Sequence, residues 1–414
     1  MRRFQSKPKS RIPSTVELTI ERLSHDGRGI GHVDGRVVMV DNALPGEVIE
    51  AGIDQGNTRL WQGHVRRYLS VSEQRQEPVC HLYGQCGGCQ LQHLSATDQL
   101  ALKQQAVQDH FHRNRLPAIG FTDPLVSAPV GYRHRARFHL SKSGTLGFHG
   151  ARGRQVIPVE QCPVITTELQ ALLDRVRREA PLKGLQQLEL TVDDAGKAGA
   201  RAVKASDSAR QAFEQWQNAQ DWLTEELTYQ AGTQVVTARP GDFTQVNREI
   251  NQQMLKQIRQ WLQPREDDRL LDLFCGNGNI SLAMLDEVAA ILGLESSGPA
   301  IEAAKAAVKH HPKAQFLEAD LFTSCLQVRP QVAEFAPTIA VLDPPRAGAE
   351  QVVQWLSELP SLTRLVYVSC DPATLARDLA QLTADHWHLR KAGLIDMFPQ
   401  TRHIETMVLL KKNK

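Results

Sequence analysis

No apolar run in this chain is long enough to cross a bilayer, and its N-terminus lacks the apolar core of a secretion signal. Both absences point away from membranes and export, so a cytoplasmic protein is expected. Net charge is nearly absent as well. A formal charge of +2 over 414 residues argues neither for nor against nucleic acid as a partner. The cysteines number seven, so a fully paired disulfide framework is missing, and metal or catalytic roles are expected instead. The rest of the composition, 41% apolar and 23% charged, is that of a soluble globular protein. The length exceeds one ordinary core and predicts two or three domains.

The local patterns divide the chain. Residues 1–12 form a basic tail with Arg2, Arg3, Lys7, Lys9 and Arg11 and no acid. It is either a solubilising tail or an arm on phosphates. Residues 13–70 read as about five short strands separated by Gly-rich turns, which suits a small OB-like barrel. Such barrels bind single-stranded nucleic acid; a plain spacer is the alternative.

Residues 71–236 read as a central α+β domain. It opens with Cys80, Cys86 and Cys89, close enough to share one small site. Cys162, followed by Pro163, is the candidate fourth ligand. Three clustered cysteines with a distant fourth are nearer to iron–sulfur than to zinc spacings, so a 4Fe-4S cluster is expected over zinc. Helical periodicity runs from Leu94 to Leu116. Tyr132 to Leu140 then alternates strictly, with Arg133, Arg135 and Arg137 on one strand face. This face is read as a phosphate-contacting surface, against a plain exposed face. Asp193 to Arg210 carries no clear signal.

Residues 237–414 alternate strand and helix, which predicts a parallel sheet. Leu270 to Leu273 feeds the turn Gly276-Asn277-Gly278, and the next strand ends in Glu295. That acid is placed to accept ribose hydroxyls. The third glycine of the dinucleotide fingerprint is missing, which favours S-adenosylmethionine over NAD. Two prolines after Asp343 hold a rigid loop at a strand end. Leu365 to Ser369 reads as a buried strand, with Asp371 as N-cap and Pro372 as first residue of the next helix. Cys370 therefore sits at a strand-to-helix junction, where a helix N-terminus is expected to lower a thiol pKa. It is the candidate nucleophile, with a small buried side chain as the alternative. Glu405 enters an apolar run; it is either an edge acid or, if buried, a base with a raised pKa.

The segments Phe243-Thr-Gln-Val-Asn247, Leu271-Asp-Leu-Phe-Cys-Gly276, Leu342-Asp-Pro-Pro-Arg-Ala-Gly348 and Val368-Ser-Cys-Asp-Pro-Ala-Thr-Leu-Ala-Arg-Asp378 resemble the RNA (uracil-5-)-methyltransferases. Asp396-Met-Phe-Pro with His403 and Glu405 adds to this. The resemblance covers nearly the whole chain and is nearest to the branch that methylates 23S rRNA, which carries both a TRAM barrel and the cysteine set. It implies a C-terminal Rossmann-like methyltransferase domain and a cluster on Cys80, Cys86, Cys89 and Cys162. It implies contacts to S-adenosylmethionine from Gln245, Phe274, Asn279, Glu295, Asp320 and Asp343. Cys370 would be the nucleophile and Glu405 the proton acceptor, acting on a flipped uridine of 23S rRNA. A cytoplasmic monomer with no membrane partner is expected. Pro345 and Arg402 stand where other members often carry Ala and Gly, and Arg402 beside the base bears on its electrostatics. The alternatives are another rRNA or tRNA uridine, or a non-catalytic RNA-binding iron–sulfur protein. Asp-Pro-Pro followed by an aromatic serves amino-directed transfer, but here Arg346 follows.

Overall fold

A computed structural model describes residues 12–323 and 325–412. The basic tail, apart from Ile12, lies outside the described residues. The chain forms two compact units: residues 1–106 with 400–402, and residues 107–399 with 403–414. Among the described residues no helix is long and apolar enough to cross a membrane.

The first unit holds six strands where about five were expected: β1 (Thr15–Thr19), β2 (Arg22–Leu23), β3 (Gly29–Val33), β4 (Arg36–Asp41), β5 (Val48–Gly56) and β6 (Leu60–Ser70). The extra one, β2, is two residues long and too short for its alternation to register. Their order is β1-β5-β6-β4-β3-β2, with β4 and β6 parallel and the other pairs antiparallel. Inward residues Leu18, Ile20, Val38, Val40, Ile49 and Trp61 form its core. Beneath it lies one buried ion pair. The Glu47 carboxylate is fully buried and accepts from Arg75 Nε at 2.7 Å, Arg75 Nη2 at 2.8 Å and the Leu44 amide at 2.7 Å. Arg75 also donates to the Asn42 carbonyl at 2.9 Å and covers the Tyr68 ring at 4.5 Å. After the cysteine loop, α1 (Ala96–Arg113) takes the predicted helical stretch. Gln400 belongs to this unit, its carbonyl accepting the amides of Gln90 and Leu91, both at 3.0 Å.

The second unit opens with β7 (Arg135–Leu140), β8 (Leu146–His149), β9 (Val156–Pro158), α2 (Thr167–Glu179), β10 (Leu185–Val192), β11 (Ala198–Ala205) and α3 (Asp207–Asn218). The strands form an antiparallel sheet in the order β11-β10-β7-β8-β9. β11 lies in the stretch without sequence signal. Its small residues Gly199, Ala200 and Ala202 are buried, but too small to stand out as a hydrophobic pattern. Next come the hairpin β12 (Leu227–Ala231) and β13 (Gln234–Ala238), and α4 (Arg248–Leu262), capped by Asn247.

The remaining elements alternate as expected: β14 (Arg269–Leu273), α5 (Asn279–Leu282), β15 (Ala290–Glu295), α6 (Gly298–Ala307), β16 (Ala314–Glu318), α7 (Cys325–Phe335), β17 (Ile339–Leu342), α8 (Glu350–Leu356), β18 (Arg364–Ser369), α9 (Pro372–Ala384), β19 (Trp387–Ile395) and β20 (Glu405–Lys412). The sheet order is β16-β15-β14-β17-β18-β20-β19. The first five strands run parallel, and β20 is antiparallel to both β18 and β19. The strand order reverses between β14 and β17, the switch point where open α/β sheets bind ligands. Because β20 runs opposite to β18, the first residue of β20 lies at the same sheet end as the last of β18. This brings Glu405 and Cys370 to one edge.

Breaking the buried pair of the first unit from one side should be costly. Arg75→Met strands a carboxylate and should destabilise the barrel by about 3–5 kcal/mol, while Arg75→Met with Glu47→Leu should recover much of that. Hydrogen exchange of the β4 and β5 amides in urea measures both.

Candidate active site

One cavity of about 910 Å³ in the second unit gathers most of the residues singled out from sequence. Gln245, Phe274, Asn279, Glu295, Asp320, Asp343, Cys370 and Glu405 all line it. The side that carries the expected ribose acceptor Glu295 is built by β14 and β15. Phe274 takes φ +62°, a left-handed conformation costly for a bulky residue, as the chain leaves β14. Gly278 follows at φ +87°, where a Cβ would lie 3.0 Å from Leu282 Cδ1. The Glu295 carboxylate accepts from the Ser297 amide at 2.8 Å and the Gly276 amide at 3.3 Å. Asn279 and Asn251 exchange amide hydrogen bonds of 2.8 and 3.0 Å. The Asp320 carboxylate accepts from the Phe322 amide at 2.9 Å and Thr323 Oγ1 at 2.7 Å. Its loop thereby presents Phe322, whose ring lies 5.6 Å from Phe274. Phe322 was missed from sequence, because a lone exposed aromatic in a loop carries no periodic signal.

The reactive side is built by β17, β18 and β20. Asp371 caps α9, its carboxylate accepting the Ala373 and Thr374 amides, both at 3.0 Å. Cys370 is half-buried at the junction. The expectation of a lowered thiol pKa is reversed here. Burial, then the Glu405 and Asp343 carboxylates, push the Cys370 thiol up to about 11, with Arg346 acting the other way. The Asp371 carboxylate occupies the amides that would have favoured a thiolate, and the thiol faces two acids. Burial and then Asp343 raise Glu405 to about 8, again against Arg346. Burial and then Asp272 raise Asp343 to about 7. Glu405 is half-buried in the cavity wall, so it is nearer to the second of the two sequence alternatives than to a solvated edge acid. Arg346 reaches His403, its Nη2 lying 3.1 Å from Nδ1. Arg402 pairs instead with Asp26 at 3.7 Å within the first unit.

Two other expectations meet the structure as follows. The basic strand face is partly offset, because Arg135 and Arg137 share the one buried Glu189 carboxylate, donating to it at 3.2 and 3.0 Å. Arg133 donates to the Arg135 carbonyl and lies before the strand begins. Arg137 keeps an exposed side chain, 48% accessible. Among the described residues, no three His, Cys, Asp or Glu side chains are grouped to hold a metal ion. The four candidate cysteines are half-buried thiols, a donor type that suits iron, and the Gly88 amide donates to Cys86 Sγ at 3.4 Å.

A doubly wound sheet with Glu295, Cys370 and Glu405 on one cavity at its switch point places the second unit in the Rossmann-like class. The chain belongs to the tRNA (uracil-5-)-methyltransferase family, whose model matches residues 197–413, and a TRAM domain matches residues 9–65. It is 36% identical to the 23S rRNA (uracil(1939)-C(5))-methyltransferase RlmD of Pseudomonas aeruginosa, over 99% of this chain and 98% of that protein. It is 34% identical to the RlmD protein of a Marinomonas species, over 99% of this chain and 97% of that one. Among solved structures, the Pyrococcus abyssi tRNA (uracil-54, C5)-methyltransferase in complex with S-adenosyl-L-homocysteine shares the fold. It has a TM-score of 0.71 and 19% identity, covering 95% of this chain and all of that one.

The raised acid at Glu405 should be visible in stability. Its folded pKa of about 8 lies above the ordinary carboxylate value, so the fold loses stability as pH rises from about 4.5 to 8. Glu405→Gln cannot ionise. Its melting temperature should match the parent at pH 4.5 and exceed it at pH 9, read by scanning calorimetry. Equal melting temperatures at both pH values would mean that Glu405 is not desolvated.

Proposed function

We propose that the protein transfers a methyl group from S-adenosylmethionine to C5 of a specific uridine in 23S rRNA. The observation that carries this reading is the convergence of Cys370 and Glu405 on a cavity also lined by Glu295 and Phe274. The family and the substrates named for its relatives support the same reaction. Residues 13–236 serve to hold RNA and residues 237–414 do the chemistry, in a cytoplasmic monomer. Gln245, Phe274, Asn279, Glu295, Asp320 and Asp343 hold the methyl donor, whose sulfonium supplies an electrophilic methyl group.

Uracil C5 is a weak nucleophile. Cys370 Sγ adds to C6, and the electron pair of the C5–C6 double bond moves toward C5 and O4. C5 then bonds to the methyl group as the donor's S–CH3 bond breaks, and that electron pair stays on sulfur in a neutral thioether. Glu405 takes the C5 proton, the double bond returns, and the S–C6 bond breaks to release the thiolate. The target base must leave its stack to reach this cavity. Cys80, Cys86, Cys89 and Cys162 hold a 4Fe-4S cluster, read from residue type and spacing. Anaerobically purified protein should be brown and carry about four irons per chain. Stoichiometric zinc without visible absorbance would count against it.

The two reactive residues should fail differently. Cys370→Ala forms no adduct and moves no methyl group. Glu405→Gln keeps addition and methyl transfer but stalls at elimination. It should accumulate a covalent protein–RNA complex that runs as a slow band on a denaturing gel and carries radiolabelled methyl. Rapid turnover by Glu405→Gln with no such band would remove Glu405 as the base. Loss of all transfer to 23S rRNA in the parent protein would remove the reaction itself.

A further inference from the structure

The loop that follows β17 holds both Asp343 and Arg346, and something must fix it beside Cys370. Its anchors all come from one face of α9. Thr374 Oγ1 donates to the Arg346 carbonyl at 3.2 Å. Arg377 Nη2 donates to the Ala347 carbonyl at 3.0 Å. Asp378 Oδ2 accepts the Ala349 amide at 2.7 Å. Positions 374, 377 and 378 lie on the helix face that starts from the cap at Asp371. Cys370 directly precedes that cap, so nucleophile and loop are held by one helix.

Asp378 is the centre of this arrangement. It is fully buried, and its other contacts are the Tyr367 hydroxyl at 2.7 Å and Arg377 Nε at 2.8 Å. Tyr367 is fully buried too, and it lies on β18, the strand that leads to Cys370. The carboxylate therefore ties β18, α9 and the loop to one point. The loop fits it closely. Gly348 takes φ +76°, and a Cβ there would lie 2.6 Å from Arg377 Nη2 and 2.7 Å from Asp378 Oδ2. A buried carboxylate is expensive to desolvate, and a packing role alone would be served by an apolar residue.

We propose that Asp378 is a positioning residue for the reaction: by holding residues 346–349 against α9, it keeps the Arg346 guanidinium where its charge acts on both Cys370 and Glu405. The groups facing Cys370 are Glu405 from β20, with Asp343 and Arg346 from this loop. Those facing Glu405 are Asp343 and Arg346. Arg346 is the cation in both sets. Its side chain is exposed and is met at the tip by His403, so the backbone anchors decide where it starts. The assignment rests on the reading of Cys370 and Glu405 as the reacting pair, but its test needs no turnover.

The test is the pH dependence of Cys370 alkylation by iodoacetamide in the full-length protein, followed residue by residue by mass spectrometry. Arg346→Ala should raise the thiol midpoint, slowing alkylation at pH 8 by about 3–10-fold, since one pKa unit is a tenfold change in thiolate. Asp378→Ala should slow it comparably, although it lies outside the cavity lining. The double variant should be no slower than the slower single one, because both act through one charge. Asp378→Asn keeps an acceptor for the Ala349 amide and should recover most of the parent profile. If Asp378→Ala does not fold, Tyr367→Phe removes one support of the carboxylate and should move the midpoint the same way. A parent-like midpoint in folded Asp378→Ala or, failing that, in Tyr367→Phe would overturn the proposal. So would additive effects in the double variant. Absence of methyl transfer in the parent protein would instead bear on the proposed reaction and leave this measurement intact.

Discussion

The chemistry of this protein depends on how acids are crowded at the carboxyl edge of the seven-stranded sheet. Asp272 is fully buried in β14, Asp343 directly follows β17 and Glu405 begins β20. Each raises the pKa of a neighbour, because like charges in a desolvated wall cannot all ionise. The cost of keeping such groups together is met elsewhere in the unit. The apolar core of the sheet and α4 is continuous, and Asp268 pins the far end of β18 through Arg364 with two 2.6 Å contacts. The strands are thereby rigid enough to hold acids that would otherwise separate.

Much of this was legible from sequence, for local reasons. Cys370, Asp371 and Pro372 are consecutive, so the strand end, cap and helix start could be read in one window. Glu405 was conspicuous as an acid in an apolar run. The turn at Gly276 and the acid at Glu295 lie within one βαβ unit. What could not be read depends on sheet order. The sign of the thiol shift is set by Glu405 and Asp343, which reach Cys370 only because β17, β18 and β20 are neighbours. The pairing of Arg135 and Arg137 with Glu189 needs the β7–β10 register, which sets Glu189 opposite Arg137. Two arginines of the basic stripe therefore share one buried carboxylate, while Arg137 stays exposed. β11 was hidden because alanine and glycine bury well without announcing it.

The same distinction separates the two buried carboxylates with structural work. Glu47 and Asp378 each accept a backbone amide together with an arginine. Neither stands out in the sequence, since Glu47 follows a Pro-Gly turn and Asp378 sits beside Arg377 on a helix, positions where an acid reads as solvated. Glu47 secures a barrel turn in the first unit. Asp378 secures a loop whose residues face the cavity, so its burial has consequences for ionisation as well as for folding.

The ionisation states then follow from charge balance. With Cys370, Glu405 and Asp343 all ionised, the edge would hold three negative charges against the single positive charge of Arg346. At neutral pH most of these protons stay on, as the raised values near 7, 8 and 11 require. On the proposed reaction, addition at C6 needs the Cys370 proton off, and elimination needs the Glu405 proton off. Additional positive charge in the cavity lowers both values at once, and a sulfonium donor is such a charge. On the proposed reaction, the site is poised to resist ionisation when empty of cations and to permit it when the donor is bound.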